Sequence, residues 1–366
     1  MKELLSSVNS QKEISQLESS TISVLRFVLM VLVVFVHAPR VEYGGGSHIL
    51  SVVFSQGIAC MAVPLFFIIS GYLFCRGLQD GWRWDLYVEK LKNRFYSLFV
   101  PYILWNLISA IYLVLPCFLG LNHDGWDGVK NWIVQHDGVW GVLWGIPINY
   151  PLWFLRDLMV MVVISPLLYY LIKWTRGWVL LCYFAVYLYE GTPLVPGFAP
   201  ESFLYFSIGL FLFMRGKSLL CFPRNSVIVS IILFCLLLVL ETYFFVEENK
   251  NISLLVRKIM EIPGCIVLLY VISALLTKQI ISPNPFLTKA SFFIFVAHIP
   301  LMRTHLFFQQ GVNKFLTTLL VGRFPGGAFL YYVSNVFVVC LVCVIAYWVL
   351  MRIFPKTTSV LCGRRV

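Results

Sequence analysis

Residues 25–38 read LRFVLMVLVVFVHA, and this stretch decides both the fold and where function is to be sought. Only Arg26 and His37 interrupt it. A helix that is apolar on every face is one surrounded by other helices or by hydrocarbon, where the backbone must satisfy its own hydrogen bonds. Extended to 22–39, the run approaches the roughly 20 residues needed to cross ~30 Å of lipid. An ionisable group inside such a span costs at least ~2.5 kcal/mol on insertion scales, so it faces a protein interior or a watery path, and both residues need a reason. They are eleven positions apart, about three turns, which puts them on one helix face and roughly 16 Å apart along the axis. One reading has Arg26 snorkelling to headgroups and His37 capping the far end. Their shared stripe favours a functional line.

Outward from this segment the pattern repeats. Apolar runs recur at 22–39, 51–75, 96–119, 151–172, 177–190, 202–214, 226–246, 259–277, 286–308 and 328–354. The fold expected is an all-α, polytopic integral membrane bundle of about ten helices. The fifth and sixth runs are short and flank the Pro/Gly-rich stretch Gly191–Pro200, so they are expected to be tilted, broken or re-entrant. Of 366 residues, 60% are hydrophobic and 12% charged, against about a quarter charged in soluble domains; mean hydropathy is +0.84. No room remains for a sizeable soluble domain. The chain divides into an expected cytoplasmic tail (1–21), a membrane domain (22–355) and a second cytoplasmic tail (356–366).

The net charge of +11 is scattered in short basic clusters between apolar runs. That pattern fits topology signals facing anionic membrane lipid and argues against nucleic acid as a partner. With the N-terminus inside, one side collects Arg76, Arg83, Lys90, Lys92, Arg94, Lys173, Arg176, Arg215, Lys217, Arg224, Lys278, Lys289, Arg352, Lys356, Arg364 and Arg365. The other collects Asp124, Asp127, Asp137, Glu190, Glu201, Glu247 and Glu248. The positive-inside rule then gives an even number of spans with both termini cytoplasmic, and a bacterial inner membrane is the expected location. The ten cysteines lie mostly in apolar runs and read as small packing residues. Cys340 and Cys343 form a lone C-x-x-C without a second pair, so no metal is expected. The first apolar run ends in His37-Ala38-Pro39-Arg40 without a small-residue cleavage site, so it is expected to stay as an anchor.

Several motifs continue from Arg26 and His37. Pro64 opens PLFFIISGYL, ending at Leu73; Arg94 is followed by Pro101-Tyr102 and Trp105; then come Leu152-Trp153-Phe154-Leu155 and SFFIFVAH over Ser291–His298. In this order they resemble the signatures of the acyltransferase 3 family, membrane enzymes that O-acylate glycans, beginning with its R-x10-H motif. The resemblance covers 22–354. It departs at Ser97, where the family often has a second arginine three residues after the first; the basic cluster there then rests on Arg94 with Lys90 or Lys92.

The chemistry fits these residue types. Acyl transfer from a thioester to a hydroxyl needs a base, and histidine titrates near neutrality, so His37 is the candidate general base. The phosphates of an acyl-CoA donor need fixed cations, which Arg26 and Arg94 supply. The expectation is an O-acyltransferase with acetyl-CoA as cosubstrate and no bound cofactor, acting on a hydroxyl of an envelope or lipid-linked saccharide. Trp153, Arg156, Asp157 and His298 are candidates for acceptor contact or site support. As i,i+1 neighbours, Arg156 and Asp157 are expected to seek separate partners, and His298 reads equally as a structural or a site histidine. Glu241 and Glu261 read as interfacial, Ser70-Gly71 as a close helix contact, Gly44–Gly46 as a flexible connection, and Trp126, Trp132, Trp140 and Trp144 as an outer aromatic belt. The main rival is a secondary transporter or flippase of a saccharide, which also carries intramembrane charge. It should show internal repeats, and none is visible between the two halves. A non-catalytic scaffold would not need Arg26 and His37 on one stripe.

Overall fold

A computed structural model describes residues 2–38, 45–78, 81–118, 130–131, 133–135, 138–189, 195–302, 314–323 and 325–365. Gly44, Trp126, Trp132, Asp124, Asp127, Asp137 and Glu190 lie outside them. Among the described residues every regular element is helical. Eight helices are long and apolar enough to cross a membrane and two more are shorter, so the chain is an all-α polytopic membrane bundle. In chain order these are α1 (Lys2–His37), α2 (Gly46–Phe74), α3 (Trp84–Tyr112), α4 (Tyr150–Trp174), α5 (Val179–Leu188), α6 (Pro200–Met214), α7 (Arg224–Val246), α8 (Lys250–Thr277), α9 (Pro285–Met302) and α10 (Gly327–Ile353). A final short helix, α11, spans Pro355–Leu361. The two helices flanking the Pro/Gly-rich stretch, α5 and α6, are the short ones.

The first helix begins well before the apolar run. No Gly or Pro interrupts residues 2–37, and Glu, Gln, Lys and Leu propagate a helix readily. The polar segment expected as a tail is therefore continuous with the first span. Its Glu18 is buried and accepts a hydrogen bond from Ser218 Oγ.

Burial sorts the spans into centre and periphery. In α2, α4, α1 and α9, respectively 61, 56, 50 and 50% of the apolar window is buried inside the protein, against 28–33% in α3, α7, α8 and α10. Water does not drive helices together in lipid, so close packing and interhelical hydrogen bonds must hold the centre. Both are present. At the α2–α6 crossing a Cβ on Gly71 would overlap the carbonyl oxygen of Phe206, and one on Gly209 would overlap that of Ile68. Hydrogen across this pair of positions is what lets two backbones touch, as expected for Ser70-Gly71. Polar ties join other helices: Tyr332 Oη donates to the Phe35 carbonyl at 2.7 Å and Tyr87 Oη to that of Val163 at 2.7 Å. Cys340 and Cys343 are buried free thiols in the packed interior.

Two spans widen locally into π-helical turns, at Val53–Ile58 in α2 and Phe95–Phe99 in α3. Such turns rotate the remainder of the helix and loosen its regular hydrogen-bond ladder. The second comes immediately after Arg94.

Candidate active site

Along α1 the residues Arg26, Met30, Val33 and His37 follow the i, i+4, i+7, i+11 rhythm of one helix face. All four line cavities. Arg26 and Met30 lie on a cavity of about 280 Å³, shared with Arg94, Ser70, Lys289 and Arg365. Met30, Val33 and His37 lie on a smaller one of about 20 Å³, with Trp153 and Pro151. Met30, Phe66, Phe154 and Phe295 line both. Three phenylalanines and a methionine thus stand between a cationic chamber and the small cavity at the histidine predicted from sequence.

Chain direction explains why distant residues converge. Leu73 at the end of α2, Arg94 in the first turns of α3, Lys289 near the start of α9 and Arg365 after α11 all meet Arg26, about three turns before the end of α1. Trp153 and Tyr150, at the start of α4, meet His37 at the other end. The start of α4 is pinned there by Asn149, whose Nδ2 donates to the Val296 carbonyl of α9 at 2.7 Å.

His298 lies against His37, ring centroids 5.3 Å apart, and Tyr150 stands edge-on to His37 at 6.1 Å. His298 is fully buried, with Nδ1 3.0 Å from the Ile294 carbonyl. A carbonyl only accepts, so Nδ1 carries the proton and Nε2 holds a lone pair. Among the described residues that Nε2 has no hydrogen-bond partner. In the neutral ring this arrangement supplies an acceptor beside His37.

The cationic chamber is built by four groups. Arg26 is exposed on it and Arg94 is half-buried. Lys289 is exposed. Arg365, assigned from sequence only to a tail, is half-buried here and sits over the Phe292 ring, 4.1 Å from its centroid. Its Nη2 donates to the Ser97 carbonyl, in the widened turn of α3, at 3.0 Å. Burial first, and then the cations of Arg94 and Arg26, push the Arg365 guanidinium down to about 9. Leu73, Arg94 and Arg365 also line a second cavity of about 420 Å³, together with Lys90, Asn93, Tyr96 and Arg364. Lys90 spends its ammonium on the carbonyls of Phe74 and Arg76, while Lys92 is exposed and lines neither cavity.

Arg156 and Asp157 require a correction. They pair with each other: Arg156 Nε donates to Asp157 Oδ1 at 2.9 Å and Nη2 lies 2.8 Å from it. Arg156 Nη1 also donates to the carbonyls of Trp144 and Gly145, at 2.7 and 2.5 Å. The i,i+1 rule describes side chains on the flank of a regular helix. These two stand where the first turn of the α-helical part of α4 gives way to the second, and there a long arginine can fold back toward the preceding loop. Both are buried, and neither lines the chamber or the His37 cavity.

A second polar cluster lies between α5, α6 and α8. Glu261 is buried rather than interfacial, and its Oε2 accepts from Tyr187 Oη at 2.7 Å and Tyr205 Oη at 2.8 Å. Arg257 donates to Gln56 Oε1 of α2. Glu241 is also buried and accepts from Ser253 Oγ at 3.2 Å. Among the described residues no group of three or more His, Cys, Asp or Glu is arranged to hold a metal ion.

Comparison with known proteins agrees with the geometry. A family model described as an acyltransferase domain matches residues 20–352. The succinoglycan biosynthesis protein ExoH of Rhizobium meliloti (strain 1021) is 29% identical over 221 residues, covering 56% of this chain and 57% of that protein. The chain thus spans little more than half the length of that relative. No solved structure gives a significant match.

Proposed function

The chain belongs to the acyltransferase 3 family, and from that premise we propose that it moves an acyl group, most simply acetyl from acetyl-CoA, to a glycan hydroxyl. The observation that carries this reading is the continuous lining from four cations to His37. Its length, about 16 Å of helix from Arg26 to His37, suits a long flexible arm with phosphates at one end and a thioester at the other.

In this reading the donor's phosphates rest on Arg26 and Arg94 and the thioester carbonyl lies beside His37. His37 takes the proton of the acceptor hydroxyl as its oxygen attacks the carbonyl carbon. The carbon–sulfur bond breaks, the thiolate leaves, and the imidazolium returns the proton to it, giving free coenzyme A and an acyl ester. General base catalysis of this kind is worth about 10²–10⁴-fold. His298, neutral at Nε2, supports His37, and Trp153 and Tyr150 shape the acceptor side. The positive-inside pattern puts the cations on the cytoplasmic face of a bacterial inner membrane, with both termini there and His37 toward the outer face. The name of the Rhizobium relative concerns succinoglycan biosynthesis, which favours an envelope or lipid-linked saccharide as acceptor.

The test is purified protein with labelled acetyl-CoA and candidate glycans. Label should pass to the glycan with release of free coenzyme A, and His37→Ala should stop it. No transfer to any acceptor class, together with saccharide uptake in proteoliposomes, would instead establish the transporter reading.

A further inference from the structure

We infer that Arg365 is a donor-binding residue: carried in by the segment after α11 and seated on Ser97, its guanidinium joins Arg26 and Arg94 in holding the donor's phosphates. This rests on the acyl-CoA reading of the site. Arg365 lies beyond residues 20–352 matched by the family model.

Four observations carry it. First, Arg94 and Arg365 line both the 280 Å³ chamber and the 420 Å³ side cavity, so a polyanion in either cavity meets both guanidinium groups. Second, the position of Arg365 is fixed. Trp105 Nε1 donates to the Leu361 carbonyl at 3.1 Å, Gly363 lies at φ 65° with no room for a Cβ against the Ser97 backbone, and Arg365 bonds Ser97 itself. Third, no ion pair among the described residues joins Arg26, Arg94, Lys289 or Arg365 to a carboxylate. Like charges gathered in a half-buried chamber repel, and an anionic ligand relieves all of them together. Fourth, Ser97 stands where the resemblance implies a second arginine. A small side chain there leaves space beside the Ser97 backbone, on which Gly363 packs and whose carbonyl Arg365 uses.

The ligand class is then a nucleotide-linked thioester with at least two phosphate groups, extended enough to reach from the side cavity into the chamber. Arginine binds such groups through two parallel N–H donors, which lysine cannot reproduce.

Calorimetry with coenzyme A tests this on the full chain, with thermal unfolding run on each variant. Arg365→Gln should weaken coenzyme A binding about ten- to hundredfold, the range for a charge-assisted contact, and raise donor KM while leaving kcat at saturating donor unchanged. Arg365→Lys should recover part of the affinity. Gly363→Ala removes no charge but displaces the segment from Ser97, and should weaken binding as well. Unchanged affinity in Arg365→Gln overturns the inference; so does a loss that accompanies a fall in Tm and is not recovered by lysine. Inorganic pyrophosphate separates this inference from the reading beneath it. Wild-type protein that binds pyrophosphate through Arg365 but ignores coenzyme A keeps the anion site and ends the acyl-CoA donor. Binding of neither probe ends both.

Discussion

The bundle holds two clusters of intramembrane charge, and they are built in opposite ways. Around Glu261 the charged groups meet protein partners: two tyrosine hydroxyls on the carboxylate, a glutamine on Arg257, and the Tyr187 ring 5.1 Å beneath Lys258. Around Arg26 four cations line open space, and no ion pair joins them to a carboxylate among the described residues. A charge in lipid must be compensated. In the first cluster the protein does this itself, which ties α2, α5, α6 and α8 together. In the second the compensation is left to something that arrives. The difference separates ionisable residues that hold the bundle from those that serve a substrate.

Substitutions can break or sharpen this division. His37→Ala should lower acyl transfer by about 10²–10⁴-fold while the unfolding transition stays cooperative and coenzyme A still binds; transfer at the wild-type rate would detach His37 from the chamber's purpose. Glu261→Ala should do the reverse. It strands two buried tyrosine hydroxyls and costs about 2–4 kcal/mol of stability, read as a lower Tm, with donor KM unchanged. A Glu261→Ala protein of normal Tm that no longer transfers acyl groups would erase the contrast. Arg94→Ala should raise donor KM about 10–100-fold with little change in kcat, measured in initial-rate assays. Lys289→Ala, at an exposed position on the same chamber, should change donor KM by no more than about fivefold, and that small effect should fade in high salt.

Much of the site is legible in the sequence, for a reason each residue makes plain. Arg26 and His37 lie on one helix, so their relation depends only on helical geometry, and the cavity-lining series Arg26, Met30, Val33, His37 follows it. Gly71 is readable as a close contact because small residues have one main use between membrane helices. Glu261 reads as interfacial from its own segment because its partners, Tyr187 and Tyr205, come from other helices. Arg156 and Asp157 read as separate because a rule for helix flanks does not hold where an arginine near a helix start folds back toward the preceding loop. His298 stands open between two readings until its ring is placed 5.3 Å from that of His37.

The sequence by itself determined that the chain lies in a membrane, that about ten helices build it, and which helix carries a line of chemistry, because hydropathy and the 3.6-residue period are local properties. Only the tertiary structure decided what completes that line. Arg365 and Ser97 are 268 positions apart, and nothing in either neighbourhood encodes the other. Their meeting depends on the summed directions of the intervening spans, the widened turn at Phe95–Phe99 and the seat at Gly363. An arginine that reads as a topology signal, Arg365, thereby supplies one of the chamber's four cations.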